Sequence, residues 1–383
     1  LLKEYRGQVD LIYIDPPFDS KANYRKRIKL RGGEVQNDSS MFEEKQYGDI
    51  WTNDEYLQFI YERLILIREL LSDTGSVWVQ CDPSRGHYIK ALMDEVFGPD
   101  NFVNHITWKR TFAHGDIGQG AQHLGRISDF ILLYSKNHAF TLNPVFTPYD
   151  QAYIDKTFKY KDPDGRRWQS VSLTAPGGAA KGNPYYEFLG VFRYWQYSKE
   201  NMQRLYDEGR IYQGAEGQVP RKKMYLDESK GIPLQDIWTD IVTVQDGASE
   251  NFNYPTQKPE LLLERIIESA TKKGDLVFDC FMGSGTTQAV ALKMGRRFLG
   301  ADINLGAIQT TTKRLLKEYE QSSLIDNYAG FEVFNVNNYD FFRNPLEAKE
   351  ILMEALSIQP YAEGNVFDGE LDGRHLKILP ITR

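Results

Sequence analysis

The sequence predicts an α/β fold: a mostly parallel, doubly wound sheet interrupted by a long insertion. Three observations carry this expectation. Short apolar runs alternate with stretches of helical periodicity towards both ends of the chain. Between about residues 109 and 250 that alternation fades, and Gly, Tyr, Trp and basic residues become common. A glycine-rich turn, Phe281-Met282-Gly283-Ser284-Gly285, follows one apolar run and opens a helix, the place where a parallel sheet receives ligands.

The elements follow in order. Residues 9–14 (VDLIYI) read as a buried strand ending on Asp15, with Pro16, Pro17 and Phe18 behind it. Thr52 with Glu55 three positions on has capping-box spacing. Tyr56, Phe59, Ile60, Leu64, Ile67 and Leu70 then recur at helical intervals, and Gly75 is expected to stop that helix. SVWVQ (76–80) is a strand. A helix is expected from about Ser84 to Phe97, stopped by Gly98-Pro99, and DFILLYS (129–135) is a further strand. From Asn251 the alternation resumes. YPTQKPELLLERIIESA is expected as a helix with Pro259 near its first turn, where proline is tolerated. Leu262, Leu263, Ile266, Ile267 and Ala270 form its apolar face. LVFDC is a strand, QAVALKM a helix closed by Gly295, and FLGADIN another strand end. This divides the chain into 1–108, an insertion at 109–250, 251–340, and an extension at 341–383.

Composition narrows the class. With 41% apolar and 26% charged residues, the 383-residue chain buries a real core. No apolar run approaches the roughly 18–20 residues of a membrane span, and no secretory leader is seen. The two cysteines, Cys81 and Cys280, make no disulfide framework, which suits a reducing cytoplasm. The six histidines have no metal-ligand spacing and there is no Cys-x-x-Cys, so no metal is expected. The net charge of −7 argues against a surface coated by nucleic acid but allows a local basic groove. Residues 156–230 hold 14 Lys or Arg against 9 Asp or Glu, opposite in sign to the whole. The chain opens at Leu1 almost inside a strand and stops just after HLKILPI, which suggests a fragment.

Two loops carry the chemistry. In the first, Gly283 and Gly285 let the backbone turn tightly and a ligand approach it. Asp302 lies 23 residues after Asp279, near the spacing at which an acid receives ribose hydroxyls. The dinucleotide fingerprint is not completed, because Thr286-Thr287-Gln288 follow Gly285. A phosphate-free cofactor, S-adenosylmethionine, therefore fits better than a pyrophosphate. In the second loop, Asp15 is a fixed acceptor, the Pro16 carbonyl can be another, and the prolines stiffen both. Phe18 offers a flat apolar face. Two acceptors and a ring suit the exocyclic amine of a nucleobase. Asp15 is expected to contribute about 3–4 kcal/mol by stabilising positive charge on nitrogen, and Phe18 stacking about 1–3 kcal/mol.

DPPF, followed far downstream by YPTQKP, FDCFMGSGTT and GADIN, resembles the amino-methyltransferases of DNA. The motif order, circularly permuted with the catalytic motif first, is that of their β class. QCDPSRGHYIKALMDEVFG and GRIYQGAEGQVPRKKMYLDESKGIPLQDIWTDI look like adenine-specific modification methylases of restriction–modification systems. The resemblance covers most of residues 1–340 and implies a Rossmann-like methyltransferase fold with S-adenosylmethionine as cofactor. It implies that Asp15, Pro16, Pro17 and Phe18 hold the flipped base. It also implies that Asp279, Phe281, Gly283, Ser284, Gly285, Thr286 and Thr287 form the cofactor loop and that Asp302 binds the ribose. Thr256, Gln257 and Lys258 would close over the methionine part, and the insertion would recognise the target sequence. The partner implied is double-stranded DNA; a restriction subunit and a homodimer enter as further partners. Cys280 departs from the proline usual at that position, which costs loop rigidity but no chemical group.

A base inside a duplex must be flipped out to reach such a pocket. Lys21, Arg25, Lys26, Arg27, Lys29 and Arg31 lie together with no acid between Ser20 and Gly33, beside the catalytic motif, and are candidates for a phosphate clamp. Arg110, His114 and His123 are candidates for base or backbone contacts, although scattered loop residues read as well. The expected reaction is methyl transfer to N6 of adenine in DNA. The same chemistry on N4 of cytosine, a nucleotide-dependent oxidoreductase and an inactive DNA-binding module are the alternatives.

Overall fold

The computed structural model describes residues 1–17, 23–27, 43–48, 53–112, 122–321, 330–335, 349, 353, 358–361, 367–371 and 373–378. The chain forms two compact units, Leu1–Asn143 with Gln235–Arg383, and Pro144–Leu234.

The first unit is built on a seven-stranded sheet. Its strands are β1 (Val9–Ile14), β2 (Leu71–Cys81), β3 (Phe102–Lys109), β4 (Ser128–Ser135), β5 (Ile237–Trp238), β6 (Leu276–Asp279) and β7 (Arg297–Gly300). Their order across the sheet is β5-β3-β4-β2-β1-β6-β7. β1 pairs in parallel with β2 and β6, β6 with β7, and β5 with β3. β4 alone runs antiparallel to both of its neighbours. The main helices beside these strands are α1 (Asn53–Leu70), α2 (Gly86–Phe97), α3 (Glu260–Ala270), α4 (Thr286–Lys293) and α5 (Leu305–Gln321).

Side-chain alternation explains the layers. Ile12, Ile14, Val77, Val79, Leu132 and Phe278 share one buried cluster with Tyr56, Ile60, Leu64 and Ile67 of α1 and Ile89 and Met93 of α2. The other side chains of the same strands, Leu11, Tyr13, Trp78, Ile131 and Val277, are also buried. A sheet covered on both faces reads as continuous apolar runs, as 11–14 and 131–134 do. The apolar face expected for α3 is buried throughout, at Leu262, Leu263, Ile266, Ile267 and Ala270.

Three expectations need correction. Gly75 does not stop a helix: α1 ends at Leu70, and Gly75 lies within β2. There the register against β1 slips between Val9 and Leu11, and a Cβ on Gly75 would meet the Val9 carbonyl at 2.8 Å. The glycine marks a bulge and a close backbone approach. The helix expected from Tyr254 begins only at Glu260, with Pro259 as its N-cap. Residues 129–135 form the expected strand, which runs antiparallel inside the mostly parallel main sheet. The compact insertion is accordingly Pro144–Leu234, shorter than 109–250. Its flanks contribute β4 and β5 to the sheet, together with β3, whose polar-rich FVNHITWK hid its strand character. The capping residue Thr52 falls outside the described residues.

The second unit has its own core of Leu173, Phe188, Trp195, Met202, Leu205 and Ile211. A four-stranded antiparallel sheet of Tyr160–Lys161, Arg167–Ser172, Arg221–Tyr225 and Ile211–Tyr212 organises it. Part of its basic surplus is paired internally: Arg166 with Asp227 and Glu228, Arg210 with Glu228, and Lys223 with Asp162.

Candidate functional site

β1 and β6 are neighbours in register, Leu11 opposite Val277 and Ile12 opposite Phe278. Their carboxyl ends therefore deliver Asp15 and Asp279 to one region, although 264 residues separate them in sequence. Asp15, Pro16 and Pro17 line a cavity of about 270 Å³ together with Asp279, Phe281, Gly283, Ser284, Thr286, Thr287 and Asp302. Thr256, Gln257 and Lys258 close another wall. Of the expected cofactor residues, Gly285 alone is not on the lining.

The glycine loop is fixed by carboxylates. Asp279 is almost fully buried; it accepts the Phe281 N–H at 2.9 Å and the Thr287 hydroxyl at 2.6 Å. Asp302 accepts the Gly283 N–H at 2.9 Å and the Asn304 N–H at 2.8 Å. Gly283 and Gly285 have φ of 50° and 71°, the left-handed region that glycine adopts without strain. Gly285 is the N-cap of α4. A Cβ there would meet Thr311 at 2.5–2.9 Å, so this glycine serves packing against α5, and Gly283 serves the cavity. Arg314 of α5, fully buried, donates to the Thr286 hydroxyl at 2.8 Å and to Glu260 at 2.7 Å, tying α5 to α3 and α4.

Asp15 is paired with Lys258 across the cavity, Lys258 Nζ donating to Asp15 Oδ2. Asp15 Oδ1 is buried and has no hydrogen-bond partner among the described residues. Burial pushes the Asp15 carboxyl up, and the Lys258 ammonium opposes this. Burial lifts Asp279 to about 7 against its two hydrogen bonds, with Asp15 and Asp302 adding like charge. Burial raises Asp302 too, opposed by the backbone N–H groups of Asn304, Gly283 and Ile303. The lining thus carries three carboxylates and one ammonium between apolar walls that include Phe59, Leu263, Met282 and Ile303. Such a cavity suits a cationic ligand with an apolar portion.

A second cavity, of about 620 Å³, shares Tyr254, Thr256, Gln257 and Lys258 with the first. Arg110 lies there, its Nε 3.0 Å from Asp129 Oδ1. Asp129 also accepts from Gln80, which in turn accepts from the Tyr13 hydroxyl at 2.6 Å. The Arg110 charge is therefore engaged by a buried acid. Among the described residues no cluster of His, Cys, Asp and Glu could hold a metal ion.

Phe18, Lys21 and His114 lie outside the described residues. Arg25 and Arg27 fall on a strand, Asn23–Arg27, paired antiparallel with Glu43–Gly48. His123 is exposed, away from both linings. Sequence reasoning missed Phe59, Tyr254, Met282 and Ile303 as wall residues, and the Lys258–Asp15 pair. Tyr254, Met282 and Ile303 stood inside the YPTQKP, FMGSGTT and GADIN motifs and so had a signal; Phe59 had none beyond its helical spacing.

Residues 9–313 match the family described as DNA methylase (N6_N4_Mtase), and the chain belongs to that family. It is 31% identical over 310 residues to the type III restriction-modification enzyme StyLTI Mod subunit of Salmonella typhimurium, covering 75% of this chain and 47% of that protein. It is 31% identical over 311 residues to the type II methyltransferase M.EcaI of Enterobacter cloacae, covering 79% and 64%. The chain thus spans about half to two thirds of the length of these relatives. The solved M1.HpyAVI–SAM complex aligns with a TM-score of 0.40 and 17% identity, over 80% of this chain and 89% of that one.

Proposed function

We propose that this chain transfers a methyl group from S-adenosylmethionine to the N6 amine of adenine in DNA. The observation that carries the reading is the single cavity lined by Asp15-Pro16-Pro17 and by the glycine loop. The residues fit the cofactor. Three carboxyl groups and one ammonium suit a ligand that carries a sulfonium and an ammonium beside a single carboxylate, and Gly283 leaves room that a Cβ would fill beside Tyr254. Asp302 is the candidate for the ribose hydroxyls. Asp279 and the 283–287 loop are the candidates for the amino-acid portion, with Thr256 and Gln257 opposite. When bound, the cofactor supplies an electrophilic methyl.

The chain's own part is to bind, orient and polarise. Asp15 Oδ1, buried and without a partner among the described residues, accepts an N–H of the target amine and stabilises the positive charge that grows on nitrogen. The prolines hold that oxygen still, having no N–H and a fixed φ. The buried walls exclude water, which strengthens the interaction. The extra proton on nitrogen leaves to solvent, and no covalent enzyme intermediate is required.

Double-stranded DNA is the proposed substrate, with the 144–234 unit as the sequence reader and Lys21, Arg25, Arg27 and Arg110 as candidate DNA contacts. Type III Mod relatives support a restriction subunit as partner. The test is incubation with methyl-labelled cofactor and mixed-sequence DNA, digestion to nucleosides and identification of the product. N6-methyladenine is expected. N4-methylcytosine alone would move the target, and no incorporation would overturn the reading. Asp15→Ala is expected to lower kcat by about 10²–10³-fold while DNA binding persists.

A further inference from the structure

We propose that Lys258 is the positioning residue of this transfer: its ammonium clamps Asp15 Oδ2, so that Oδ1 remains as the ionised acceptor for the amine. The inference rests on the methyl-transfer reading above and assigns the residue that keeps its central carboxylate usable.

Lys258 is held from several sides. Its carbonyl accepts the Thr286 hydroxyl at 3.1 Å, and its Nζ also donates to the Thr256 carbonyl at 3.2 Å. Gln257 beside it donates to the Glu250 carbonyl at 2.5 Å and accepts the Phe252 N–H at 3.0 Å. Thr256, a β-branched residue, sits at φ 65°, and Asn253 at φ 53°. Backbone held in that region by surrounding contacts is a mark of a functional segment. The segment presents an ammonium to a carboxylate 243 residues away, with only 12% of the Lys258 side chain and 17% of the Asp15 side chain exposed.

The electrostatic need is specific. Burial favours the neutral form of Asp15, and Lys258 is the cation that opposes it. Among the described residues, the other groups whose titration is shifted by Asp15 are Asp279, Asp129, Tyr13, Tyr254 and Cys81, none of them a cation. Without Lys258, Asp15 would hold its proton to higher pH, and a protonated carboxyl cannot accept at both oxygens.

The test uses the full chain with Lys258→Met and Lys258→Arg. Removing the charge should move the acid limb of kcat up by about 1–3 pH units, so that the loss of transfer is largest at low pH and shrinks as pH rises. Lys258→Arg should leave the limb near its original place. A second readout needs no turnover: ¹³C NMR titration of the Asp15 carboxyl in aspartate-labelled protein, assigned by loss of the signal in Asp15→Asn. It should shift upward with the limb. A uniform fall in kcat at every pH, with an unshifted carboxyl titration, would make Lys258 a fold support only and overturn the proposal. If Lys258→Met does not fold, Lys258→Gln takes its place with the same expected shift. Should wild-type protein methylate no base, the functional reading fails, whereas the carboxyl titration still decides the coupling.

Discussion

Replacing Gly285 by alanine separates packing from binding in the glycine loop. At φ 71° an alanine costs about 1–2 kcal/mol over glycine. Its Cβ would lie 2.5 Å from Thr311 Cγ2 and 2.6 Å from Thr311 Oγ1, and such overpacking typically costs about 1–3 kcal/mol more. Gly285→Ala should therefore lose about 2–5 kcal/mol of unfolding free energy, read from urea denaturation. Gly283→Ala, at φ 50° with its nearest contact the movable Tyr254 ring at 3.2 Å, should lose only about 1–2 kcal/mol. Because Gly283 lines the cavity, that variant should instead weaken cofactor binding in calorimetry. Thr311→Ala in the Gly285→Ala background removes both close atoms and should restore part of the loss, a non-additive coupling between touching residues. Strict additivity, or a Gly285→Ala variant within about 0.5 kcal/mol of wild type, would refute the steric account.

Other consequences follow from the same site. Asp279 keeps its proton to about pH 7 in the folded chain, against an ordinary value of 3.8, so the unfolded chain binds fewer protons between those limits. Stability should fall as pH rises from about 4 to 7, by up to about 4 kcal/mol from this group; Asp279→Asn should flatten that slope in urea unfolding at several pH values, and parallel curves would contradict it. Cofactor binding that draws on an ionised Asp279 should release protons near pH 6–7, seen as a dependence of calorimetric heat on buffer ionisation. Arg314→Met leaves Glu260 with Lys293 as its remaining cation among the described residues and should cost about 3 kcal/mol, partly recovered by adding Glu260→Gln. Reversing the charge of Lys21, Arg25 and Arg27 should lower the salt slope of DNA binding by about 0.9 for each phosphate left without its cation; an unchanged slope would exclude a phosphate clamp.

The parts of the fold that were legible had short-range signals. The α1 stripe, the α3 face and the strands around Leu11, Val77 and Val277 each follow from a period of 3.6 or from a run of branched apolar residues. Direction and adjacency were not so written. Nothing local in DFILLYS distinguishes an antiparallel strand from a parallel one, and β5 is two residues long. The site divides the same way. Asp15, Gly283 and Asp302 were recognisable because turns and strand ends restrict which residues fit. The pairing of Lys258 with Asp15 depends on where a loop of non-helical φ returns, and YPTQKP followed by an apolar stripe looked like a longer helix than the one that forms.

The place of β1 between β2 and β6 has a consequence for biosynthesis. Asp10 Oδ2 accepts the Leu276 N–H, a contact spanning 266 residues. One edge of the strand that leads into Asp15 therefore stays unpaired until the 266 residues from Asp10 to Leu276 have been made. At about 5–20 residues per second, that exposed edge persists for tens of seconds at the slower rates. A nascent chain of this kind benefits from chaperones that shield strand edges, and the cavity at the ends of β1 and β6 cannot close before the strand that opens at Leu276 has emerged.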